Sequence, residues 1–114
     1  TRCVVIHEFA HQMDSLDGST NGAPPMTDLK FERQWYHITS KEYDQLVERS
    51  RHGERTLLDK YGATNHAEFF AVTCECFFTQ PQLLKQEHSD LYSVLVRLFG
   101  QDPAEWLTSH QVAH

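Results

Sequence analysis

Five residues near the start of the chain, His7-Glu8-Phe9-Ala10-His11, constrain it more than any other stretch. They read H-E-x-x-H, and that pattern carries chemistry only if it is helical. Residues four apart on a helix lie one above the other on one face, so His7 and His11 can aim two imidazoles at a single point. Glu8 lies about 100° further round the helix, within reach of a water at that point without being a ligand itself. Two neutral imidazoles suit a zinc ion, and the glutamate between them suits a general base.

The surrounding residues favour the helix. Ile6, Phe9, Ala10, Met13 and Leu16 recur at three- and four-residue steps and predict an apolar stripe, with His7, His11 and Asp14 on the neighbouring face. Gly18 is the expected stop, followed by turn-forming residues as far as Gly22.

Size and charge exclude several classes. A chain of 114 residues is one domain at most. Sixteen acidic and ten basic residues give a formal charge of -6 without any Lys/Arg cluster, which argues against nucleic acid as a partner. No apolar run is long enough to span a membrane. Cys3, Cys74 and Cys76 are odd in number and have apolar neighbours, as reduced thiols of a cytoplasmic protein do. Cys74 and Cys76, two apart on a helix, point away from each other and do not make a metal pair.

In chain order, residues 15–38 read as a long loop around Asn21-Gly22-Ala23-Pro24-Pro25. Thr39 or Ser40 caps a second expected helix that ends near Gly53. Thr64 and Asn65 cap a third, residues 66–79, apolar enough to be buried against the motif helix. Pro81 opens a fourth that runs to Gly100, and Asp102-Pro103 starts a last turn that contains Trp106. His37, His52, His66 and His88 read as surface or capping residues, and His110 and His114 as part of a frayed tail.

A catalytic zinc keeps three protein ligands and one open position. Beyond His7 and His11, the third can be Glu68, Glu75, Asp14 or Asp17. Glu68 and Glu75 are seven apart on the apolar third helix, where a carboxylate needs an ion or a partner. Asp14 is better placed to orient an imidazole than to reach the ion. Asp17 falls where H-E-x-x-H-x-x-G-x-x-H peptidases place a third ligand, but the glycine of that pattern is Asp14 here.

The stretches HEFAHQMD, LDGSTNGAPPM, YGATNHAEFFAV, ECFFTQP and the terminal QDP resemble the Mlc titration factor A (MtfA) family of bacterial zinc peptidases. Tyr61-Gly62 with Ala67-Glu68-Phe69-Phe70-Ala71 is also similar to the catalytic domain of anthrax lethal factor. The resemblance implies Glu68 as third zinc ligand and Tyr61 as a catalytic residue. The fold class it implies is mainly α, residues 1–114 forming the helical C-terminal part of a zincin-like (gluzincin) metallopeptidase domain whose N-terminal sheet is missing. It implies a zinc-dependent, aminopeptidase-like hydrolase of peptide or protein substrates. The spacing itself makes Glu8 the expected base and sets Asp14 and Glu75 to hold the histidines in one tautomer through their free ring nitrogens. The lethal factor pattern has a second Glu where this chain has Val72, so that role is vacant or falls to Glu75. The family name implies an alternative, a regulatory module that sequesters a transcription repressor. With the sheet absent, bare apolar surface on the first and third helices predicts oligomerisation or poor solubility.

Overall fold

A computed structural model describes residues 3–17 and 22–105. Trp106, His110 and His114 lie outside the described residues, as does Gly18, the expected helix stop. The described part is helical, with no strand: α1 (Val4–Asp14), α2 (Leu29–Arg51), α3 (His66–Thr79), α4 (Pro81–Glu87) and α5 (Ser89–Phe99), plus 3-10 turns at Ser15–Asp17 and Lys60–Ala63. Among the described residues no helix is long and apolar enough to cross a membrane.

The third helix is central because it is apolar nearly all round. Its residues from Phe69 to Phe77 are buried without interruption. Helix α1, the 60–63 turn, α4 and α5 all pack on it. Its start is fixed by Asn65, whose side chain accepts from the Glu68 amide at 2.9 Å. Phe70 meets Trp35 of α2 edge to face, and Phe77 stacks on Phe99 of α5. Leu84, Leu91 and Leu95 complete the core without exposure.

Helix α2 starts ten residues before the expected Thr39. Asp28 caps it by accepting from the amides of Lys30 and Phe31, and Phe31, Trp35, Thr39 and Leu46 form its buried stripe. The expected long loop therefore ends at residue 28. The expected fourth helix is two helices that meet at His88, which leaves helical geometry at φ -136°. There the imidazole binds Glu42 of α2 at 2.7 Å, so the break brings a side chain across to a neighbouring helix. Gly100 closes α5 with φ 66°, as a C-terminal glycine does.

The burial of α1 also differs from its expected stripe. Ala10 is buried and Ile6 and Met13 pack partly on the core, but Phe9 and Leu16 face solvent together with Val4 and Val5. The residues turned inward are His7, Ala10 and Asp14. The polar edge of the helix, rather than its most apolar one, is pressed against α3.

The turn that carries Tyr61 fits α3 with no space to spare. A Cβ on Gly62 would lie 2.4 Å from Cγ2 of Val72 and 3.2 Å from Cδ2 of Leu46. Val72 is branched on a buried helix and cannot swing away. Gly62→Ala is expected to destabilise the fold by about 1–3 kcal/mol, read from denaturant unfolding.

Candidate metal centre

Three side chains from two helices converge where α1 crosses α3. His7 and His11 project from α1, and Glu68 from the first turn of α3. Nε2 of His7 and Nε2 of His11 are 3.2 Å apart. Oε1 of Glu68 is 3.1 Å from Nε2 of His7 and 2.5 Å from Nε2 of His11. The three ligand atoms lie within 4.8 Å of one another, close enough together to bind a single metal ion.

The donor set fits a small divalent cation. Ligands about 2.0–2.1 Å from a tetrahedral ion lie roughly 3.3 Å from each other, close to the 3.2 Å and 3.1 Å separations here. The 2.5 Å contact between His11 and Glu68 is a direct hydrogen bond. Among the described residues neither Asp14 nor Glu75 belongs to this group of potential ligands.

The electrostatics favour an ionised Glu68. Partial burial raises its pKa, but hydrogen bonds with Tyr61 and His11 and the charge on His11 outweigh this, leaving the carboxyl below its ordinary value. Tyr61 stands in the turn after Asp59 with its ring 6.3 Å from that of His7, and it is half exposed at 45 %. Its hydroxyl is thus at the edge of the same centre.

Glu8 points outward from α1. With His11 and Gln12 of the same helix, it lines an open cleft that Asn65 and Glu68 border from α3 and its cap. Of His7, Glu8 and His11, Glu8 alone is exposed and lies on the accessible side of the centre, while His7 is buried.

Glu75 and Asp14, both expected to hold histidines, divide. Glu75 accepts from Nδ1 of His7. Among the described residues Asp14 binds no imidazole. Its fully buried carboxylate accepts from the Gly22 amide at 2.9 Å and the Ala23 amide at 3.0 Å, which pins the returning chain beneath the centre. Gly22 has φ 84°, and a Cβ there would meet the carbonyl oxygen of His66 at 2.5 Å, so only glycine fits between α1 and α3. The spacing of Asp14 from His11 signalled the correct face but could not reveal that amides 8 and 9 residues later would claim it. Asn65 and Gln12, on the cleft, were not singled out in the sequence; Asn65 read only as a helix cap.

The family model for glucose-regulated metallo-peptidase M90 matches residues 1–100. The chain belongs to the M90 family. An uncharacterized protein of Synechocystis is 42% identical over 100 residues, covering 88% of this chain and 36% of its own. The Mlc titration factor A proteins of Yersinia pestis and Yersinia pseudotuberculosis are each 36% identical over 104 residues, covering 88% of this chain and 38% of theirs. The M90 chain thus spans a little over a third of the length of these relatives. The resemblance to the Mlc titration factor A family is borne out, and with it a metallopeptidase-type family. The likeness to lethal factor stays a reading of the H-E-x-x-H helix and of residues 61–71.

Proposed function

We propose that this M90 chain carries the metal centre of a zinc-dependent, aminopeptidase-like peptidase of the cytoplasm that acts on peptide or protein substrates. The observation that carries this reading is the convergence of His7, His11 and Glu68, with Glu8 on the open side. These three residues would hold the ion. Bound zinc acts as a Lewis acid, polarising a carbonyl and acidifying water. Glu8 takes a proton from the attacking water and passes it to the leaving amine. Tyr61 donates its hydroxyl proton in a hydrogen bond to the developing oxyanion. Glu68 is ionised before the ion arrives, and His7 is fixed in the tautomer that leaves Nε2 free.

The test is hydrolysis of matched reporter peptides with free and acetylated amino termini, before and after chelation and after zinc is returned. The reading expects activity that chelation removes and zinc restores, with preference for the free amine. Zinc-independent hydrolysis contradicts it, and equal rates on both peptides contradict the aminopeptidase part. In the same assay Tyr61→Phe is expected to lower kcat by about 10²-fold and leave KM nearly unchanged, as loss of one oxyanion donor does.

A second reading comes from the relatives named Mlc titration factor A. In it the protein sequesters a transcription repressor, and the exposed Val4, Val5, Phe9 and Leu16 offer apolar contact area. The two readings are compatible. Glu8 distinguishes them, because repressor binding needs no general base.

A further inference from the structure

Glu75 is a carboxylate only 5 % exposed, two turns beyond Glu68 on an apolar helix. A charge so placed is tolerated only if both oxygens are occupied. One accepts from Nδ1 of His7; the other accepts from the backbone amide of Cys3 at 2.9 Å. Cys3 immediately precedes α1, and its own side chain makes no capping bond. The amides at a helix start lack intrahelical partners, so Glu75 caps α1 from a different helix.

We infer that Glu75 is a positioning residue that couples the seating of the first turn of α1 to the tautomer of His7. The inference rests on the reading of His7 as a metal ligand. With its proton fixed on Nδ1, the ring must present the Nε2 lone pair towards His11 and Glu68. The same carboxylate holds the residue at which α1 begins, so a shift of that first turn alters the ligand as well. His11 has no such anchor: among the described residues nothing binds its Nδ1, and its side chain is 28% exposed. His7 is anchored at Nδ1 by a buried carboxylate, whereas His11 is held through Nε2 by Glu68.

A carboxamide cannot replace this carboxylate. It has one acceptor oxygen for two donors, and its NH2 group would face either Cys3 N–H or His7 Nδ1–H. Two measurements decide the matter. Nitrogen NMR of the His7 ring in metal-free protein, at alkaline pH where imidazoles are neutral, is expected to find the proton on Nδ1. Glu75→Gln is expected to populate the Nε2–H form and weaken zinc binding about 10–100-fold in chelator competition, with an altered visible spectrum of the cobalt-substituted protein. Glu75→Asp keeps two acceptors and is expected to recover part of the affinity. A proton on Nε2 of His7 in the native protein would overturn the inference without recourse to any variant. Zinc affinity of Glu75→Gln within twofold of native would do the same, whatever its melting temperature. Failure of the native protein to bind zinc would instead overturn the proposed function, and the metal-free tautomer would still decide this point.

Discussion

Glu8→Gln is expected to lower kcat/KM for peptide hydrolysis by about 10²–10⁴-fold and to leave zinc stoichiometry at the native value. The substitution keeps the shape of the side chain and removes its ability to accept a proton. Glu8 is exposed on α1 and makes none of the contacts that bring His7, His11 and Glu68 together, so the fold and the metal have no reason to change. Binding of a repressor, if the protein has that activity, should also be unaffected. Metal analysis, steady-state kinetics and a repressor titration on the same preparation separate the three. Undiminished hydrolysis in Glu8→Gln would remove the base from the mechanism.

Glu68→Ala is expected to have the opposite signature, loss of metal and activity together. It deletes the only carboxylate among the three convergent ligands and leaves two imidazoles whose Nε2 atoms are 3.2 Å apart. The loss of affinity should exceed the roughly 100-fold that removal of an outer hydrogen-bond partner causes. The fold should tolerate the change, because it is the Glu68 amide, not its side chain, that donates to the capping side chain of Asn65. Far-ultraviolet circular dichroism with chelator competition tests both parts. Native zinc affinity in Glu68→Ala would move the third ligand elsewhere.

The residues of the candidate metal centre are legible in the sequence, and much of the geometry around them is not. The motif and α3 could be placed because each has a local cause, four-residue spacing in one and the Asn65 cap before an apolar run in the other. The resemblance chose Glu68 where spacing alone left four candidates. Spacing did connect Glu75 to the site, since seven residues return to one helix face.

What escaped depends on partners distant in the chain. Asp28 is as good a cap as Thr39, but the residues from Phe31 to Ile38 include aromatic and β-branched side chains of modest helix propensity, and their helical period emerges only when Trp35 meets Phe70. The break at His88 has no glycine or proline to announce it, and its reason is Glu42, 46 residues earlier. The α1 stripe misled because apolar residues cover two sides of the helix. Packing against α3 chose the side that carries His7 and Asp14, a choice that the histidine spacing, and not hydrophobicity, determines.

Zinc K-edge X-ray absorption on the zinc-loaded protein reads the ligands of the ion itself. A first shell of nitrogen and oxygen only, at about 2.0–2.2 Å, with the multiple scattering of two imidazoles, is expected. A sulfur shell at about 2.3 Å, or a shell without imidazole scattering, would contradict the proposed centre, for the ion would then not be held by His7, His11 and Glu68.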